Sequence, residues 1–167
     1  LEGIETLQAD GVCQLAQQIQ LIHPDSHSRV RKLSVYLHGS TADHLTQRVM
    51  DQLKRVVPHV QTLDLCATQD VPLACAILSQ ATSLTTVSLQ AALSSTPNGV
   101  QCTARYLLAI PQTAKVTSLT IMGRHALTRQ NGDLAPLLVL LSGLFGDVET
   151  LRVDIPDDHV EVFLRGV

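Results

Sequence analysis

The chain has 167 residues, of which 45% are hydrophobic and 16% charged, with a formal net charge of -3. That length suits one compact domain or a short repeat array, with a core large enough to need no disulfide staples. A near-neutral charge with two Phe, two Tyr and no Trp speaks against a nucleic-acid binder, and no run approaches the length of a membrane span.

Taken in chain order, one short pattern returns six times: aliphatic, two residues, aliphatic, one residue, aliphatic. It reads Ile4-Glu-Thr-Leu7-Gln-Ala9, Val30-Arg-Lys-Leu33-Ser-Val35 and Val60-Gln-Thr-Leu63-Asp-Leu65 in the first half. It continues as Leu84-Thr-Thr-Val87-Ser-Leu89, Val116-Thr-Ser-Leu119-Thr-Ile121 and Val148-Glu-Thr-Leu151-Arg-Val153. The starts lie 26, 30, 24, 32 and 32 residues apart. Alternating aliphatic positions make each copy a predicted strand, near 4–9, 30–37, 60–65, 84–89, 116–121 and 148–153.

A helical pattern fills every interval. Val12 to Ile22 carries Leu15, Ile19 and Ile22 on one stripe, with Pro24 beyond it. Asp43 to Val57 is the clearest, with Leu45, Val49, Leu53 and Val56 on one face, charged residues opposite, and Pro58 as the stop. Val71 to Ala81 has Pro72 in a suitable first turn. Thr103 to Ile110 places Tyr106, Leu107 and Ile110 together. Leu134 to Phe145 is apolar nearly all round and predicts a buried helix, and Asp157 begins a last one. Strand and helix alternating predicts an α/β fold with parallel strands, each helix crossing over to the next strand. One unit cannot cover its own apolar faces, so stacking must bury them.

These six copies resemble a leucine-rich-repeat protein, of the ribonuclease-inhibitor-like class in repeat length and of F-box-type substrate receptors in uneven spacing. The resemblance covers about residues 4–167, essentially the whole chain, and implies that 1–167 is a single domain of about six repeats. It implies a solenoid with parallel strands on the concave face and helices on the convex face. The family's Asn or Cys, three residues after the last aliphatic, is replaced by Val12, His38, Thr68, Ala92, Arg124 and Pro156. The chain starts almost on a strand and stops inside a predicted helix, without polar caps, so it is expected to be a piece of a larger protein.

Residues between the aliphatics should face outward, since side chains alternate along a strand. They form three rows. The first is Thr6, Lys32, Thr62, Thr86, Ser118 and Thr150; the second is Gln8, Ser34, Asp64, Ser88, Thr120 and Arg152; the third is Asp10, Tyr36, Cys66, Gln90, Met122 and Asp154. The candidate partner-binding residues are Lys32, Ser34, Tyr36, Asp64, Cys66, Ser88, Gln90, Thr120, Met122 and Arg152. Tyr36 and Met122 are the expected apolar anchors. Thr and Ser also suit any exposed strand.

Other features carry two readings each. The loops Ala91–Val100 and Gly123–Asp133 are longer than a repeat needs, as functional loops or as tolerated insertions. Arg29, Arg31, Lys32, Arg48, Lys54 and Arg55 gather around the second repeat, as an anion site or as a solvated face. Cys13, Cys75 and Cys102 fall on helix stripes and are expected to be structural, whereas Cys66, on an outward row, is the one expected to be reactive. His23 and His27 are four apart, but Pro24 between them breaks the helix that would align them for a metal. No phosphate loop, dinucleotide turn, C-x-x-C pair or nucleophile elbow occurs, so no metal, cofactor or catalytic set is expected.

The expected function is therefore protein–protein interaction, without enzyme activity, nucleic acid or membrane. The resemblance narrows it to substrate-recognition repeats of a ubiquitin-ligase subunit, whose Skp-type adaptor would bind through a region outside this chain. The alternatives are a structural subunit or assembly factor of a larger complex, and the repeat region of an immune-type sensor. Four scattered cysteines and no signal peptide suggest the cytoplasm or nucleus.

Overall fold

The computed structural model describes residues 4–37, 43–67, 71–90, 99–122 and 148–153. Within them six strands form one all-parallel sheet: β1 (Thr6–Asp10), β2 (Lys32–Leu37), β3 (Thr62–Ala67), β4 (Thr86–Gln90), β5 (Ser118–Met122) and β6 (Thr150–Val153). Their spatial order is their chain order. Four helices lie between them: α1 (Val12–Leu21), α2 (Asp43–Val56), α3 (Val71–Gln80) and α4 (Gly99–Ala109). The fold is α/β with a parallel sheet, as the alternating pattern requires.

Each strand begins two residues after the first aliphatic of its copy. That aliphatic enters the core from the preceding turn: Val30, Val60 and Leu84 are fully buried. The residue after it provides the joint between units. The Glu5 carbonyl accepts the N–H groups of both Arg31 and Lys32. The same arrangement repeats from Arg31 to Gln61 and Thr62, from Gln61 to Thr85 and Thr86, from Thr85 to Thr117 and Ser118, and from Thr117 to Glu149 and Thr150, all at 2.8–3.1 Å. The hydroxyls of Thr85 and Thr117 donate to the Gln61 and Thr85 carbonyls as well. Every unit is thus tied to the previous one by two main-chain hydrogen bonds before the strand ladder starts.

The core follows from the alternation. Leu7, Leu33, Leu63, Val87 and Leu119 make one inward row across the sheet, and Ala9, Val35, Leu65, Leu89 and Ile121 make the next. Against these pack Leu15 and Ile19 of α1, Val49 and Leu53 of α2, Leu73 and Ile77 of α3, and Tyr106 and Leu107 of α4. Fully burying one such side chain contributes about 1.5–3 kcal/mol. Consecutive helices touch one another, α1 on α2 and α3 on α4 most closely, so the helices line one side of the sheet in order.

Two details differ from the sequence pattern. Helix α4 starts at Gly99, four residues before the Thr103 start expected from its apolar stripe. Two 3-10 turns, Pro24–Arg29 and Val57–His59, lead into β2 and β3. Pro24 does end α1 as expected. His23 then accepts a hydrogen bond at Nδ1 from the Asp25 N–H, while His27 turns into the core, so the two histidines part. The helices expected at Leu134–Phe145 and from Asp157, the Gly123–Asp133 loop and most of the Ala91–Val100 loop lie outside the described residues.

Candidate functional site: the open face of the sheet

The strand register aligns the three outward rows residue for residue. Thr6 pairs with Lys32, Lys32 with Thr62, Thr62 with Thr86, Thr86 with Ser118, and Ser118 with Thr150. The second row runs from Gln8 to Arg152 and the third from Asp10 to Met122 in the same way; Asp154 lies outside the described residues. No strand slips, because a one-residue slip would turn every leucine outward.

The rows are not equally exposed. Lys32, Gln90 and Arg152 are exposed, and Tyr36 retains 37% of its surface. Asp64, Ser88, Thr120 and Met122 are half-buried. Ser34 and Cys66 are buried although they belong to the outward set. Each is small and stands beside longer neighbours, Lys32 and Tyr36 about Ser34, Tyr36 and Gln90 about Cys66. Burial also corrects the expectation for Cys66. Loss of solvent pushes its thiol pKa up, which keeps it protonated and slows nucleophilic attack. Cys13, expected on the buried stripe of α1, is exposed instead. Cys75 and Cys102 sit half-buried at the α3–α4 contact, with the Cys75 thiol donating weakly to the Arg105 carbonyl. Burial raises the Cys75 pKa too, against the lowering effect of Arg105.

Six of the ten candidate residues come together. Tyr36, Asp64, Cys66, Ser88, Gln90 and Met122, with Leu65, line a hollow of about 270 Å³ that spans β2 to β5. Lys32 and Ser34 reach it through Asp64. The Ser34 hydroxyl donates to Asp64 Oδ2 at 3.0 Å, and Lys32 Nζ lies 3.2 Å from the same oxygen. Thr120 and Arg152 continue the second row past the hollow without lining it.

A second hollow, of about 410 Å³, opens on the other side of Tyr36 and is lined by Gln8, Asp10 and Gln14 as well. Gln14 comes from α1 and is absent from any strand pattern. It is delivered by Gly11, whose φ of +89° turns β1 into α1 while its N–H donates to the Tyr36 carbonyl at 2.7 Å. A Cβ at Gly11 would meet nothing within 4 Å, so the dihedral alone selects glycine there.

Three of the basic residues of the second repeat have partners within the chain. Lys32 pairs with Asp64 and Lys54 with Asp51, while Arg31 donates to the His59 carbonyl at 3.2 Å. Arg29 and Arg55 are exposed. Among the described residues no group of three or more His, Cys, Asp or Glu is placed to hold a metal, and no helix is long and apolar enough to cross a membrane. No family model matches the chain, and neither a curated protein nor a solved structure matches it.

Proposed function

We propose that this chain is a protein-binding module built as a leucine-rich-repeat solenoid, and that the open face of its sheet is the binding surface. The observation that carries the reading is the alignment of three outward rows along sequentially ordered strands, with Tyr36 standing between two hollows.

The stacking supports the repeat reading over other parallel folds. A doubly wound sheet reverses its strand order at a switch point, and this one runs from β1 to β6 without reversal. A closed barrel needs a stagger between strands, and here equivalent positions pair directly at all five junctions. The carbonyl that accepts two N–H groups recurs at each junction, as expected of units that contact only their neighbours. In this reading the sheet is the concave surface and the helices the convex one.

A sheet face with graded polar rows and one exposed aromatic matches the anatomy of a protein interface, an apolar anchor inside a polar surround. Target selection for a ubiquitin ligase is the setting we favour, with the adaptor held elsewhere. Four free thiols suit a reducing compartment, the cytoplasm or nucleus.

The test is capture by the intact protein from an extract of its own source, followed by two arginine substitutions. Ser88→Arg, on the open face, should weaken the captured partner at least about tenfold, the scale of a lost interface anchor. Gln17→Arg, on the exposed side of α1, should leave it bound. The reverse pattern would move function to the helices.

A further inference from the structure

The hollow between Tyr36 and Met122 exists because the third row dips. Cys66 is a small residue between Tyr36 on one side and Gln90 and Met122 on the other. The two walls are three strands apart, roughly 14 Å between main chains. At about 270 Å³ the space is small, at the lower end of ligand-binding clefts, and has room for one long side chain.

Its chemistry is one-sided. Asp64 has both of its described partners on Oδ2, leaving Oδ1 without one among the described residues. A carboxylate offers about four acceptor positions, so capacity remains. Ser88 adds a hydroxyl and Gln90 an amide oxygen. No lysine or arginine is among the described residues lining the hollow, and the Lys32 ammonium meets Asp64 from the first row, on the Oδ2 side. Across Tyr36 the second hollow carries another carboxylate, Asp10. The Ser34 hydroxyl, itself buried, holds the Asp64 carboxylate in place, so little ordering remains to be done when a guest arrives.

We infer, on the basis of the protein-binding role proposed above, that this hollow receives an arginine side chain from an extended segment of the partner. The guanidinium lies against Asp64 and the Tyr36 ring, and its aliphatic stem runs along Met122. A carboxylate guest would face Asp64, and an apolar guest would leave Asp64 Oδ1, Ser88 and Gln90 buried without partners. Arginine is favoured over lysine because its planar head spreads several donors across separated acceptors, sheds water more easily and stacks on an aromatic ring.

The experiment is a titration of the full chain followed by NMR, with a Gly/Ser peptide carrying one arginine. The matched probes replace that arginine with citrulline, which keeps the shape and removes the charge, or with glutamate; spermidine is a separate probe. The arginine peptide should give saturable shifts at Tyr36, Ser88, Gln90 and Met122, with citrulline at least about tenfold weaker, as for a lost charge-assisted contact. Asp64→Asn should abolish the preference for arginine over citrulline. Cys66→Leu leaves the charge unchanged and fills the dip, so it should abolish the shifts while the amide spectrum stays dispersed. Equal binding of citrulline or of spermidine, undiminished binding to Cys66→Leu, or no saturable shift at millimolar peptide would overturn the assignment. The two levels separate cleanly. If the arginine peptide fails while Ser88→Arg still releases the captured partner, the guest is wrong and the binding face stands; if Ser88→Arg releases nothing, the face itself is wrong.

Discussion

The two faces of the same strands obey different rules. On the inward face of β2, Leu33, Val35 and Leu37 are at most 1% exposed, and Leu63, Leu65, Val87 and Leu89, the counterparts of Leu33 and Val35 on β3 and β4, are at most 2% exposed. On the outward face of β2 itself, Lys32 is exposed, Ser34 is buried and Tyr36 stands out. The inward face is uniform because stacking rewards one size and one polarity at each position. The outward face is uneven because nothing in the fold requires it to be level. Relief on that face is therefore where a specific partner would find its purchase.

Substitutions on the two faces should separate by size of effect. The largest belongs to Leu63→Asp, which places an unpaired charge in a fully buried position. It should cost more than about 4 kcal/mol, enough to abolish cooperative unfolding in urea. An unfolding midpoint close to that of the parent would mean that the inward row does not hold the sheet.

Gly11→Ala sits between the faces, at the turn from β1 into α1. With φ at +89° an alanine is strained whatever the space, and the loss should be about 1–3 kcal/mol by thermal or chemical unfolding. Because Gly11 binds the Tyr36 carbonyl, the same variant should also disturb the Tyr36 ring resonance more than any other outward residue.

Alkali offers a smaller and graded effect. Burial raises the thiol pKa of both Cys66 and Cys75 above the ordinary 9.0. The unfolded chain then loses these protons first, so stability is fully present below about pH 9 and declines as pH rises toward the folded values. Thiol labelling near neutral pH should go in the order of exposure, Cys13 well before Cys66. Cys66 reacting first would restore the view that it is an open, reactive thiol.

The smallest stability change is expected from Tyr36→Ala, within about 1 kcal/mol since the ring is partly solvated. The same variant should weaken a partner strongly, because Tyr36 walls both hollows. A large stability loss with unchanged binding would reverse the roles assigned to the two faces.

Much of this was legible in the residues. The aliphatic spacing located six strands to within two residues, and α1, α2 and α3 ended where Pro24, Pro58 and the end of the Val71–Ala81 stripe suggest. The facing of each strand followed as well, since a one-residue slip would turn every leucine outward. The relief of the open face was not legible, for a physical reason. Whether an outward residue is exposed depends on the length of its neighbours on adjacent strands, which lie 24 to 32 residues away in sequence. Ser34 sinks between Gln8 and Asp64, and Cys66 between Tyr36 and Gln90; neither is apolar enough to announce its burial. Gln14 was invisible in the same way, since it reaches the site only through the unusual backbone at Gly11.

The most direct test of the two-face account is photo-crosslinking of the intact protein with its captured partner, from a benzophenone side chain placed at Gln90 on the open face or at Leu108 on α4. Both positions are exposed, so accessibility does not bias the outcome. The account predicts a discrete adduct from Gln90 and none from Leu108. An adduct from Leu108 alone would place the interface on the helices and contradict it.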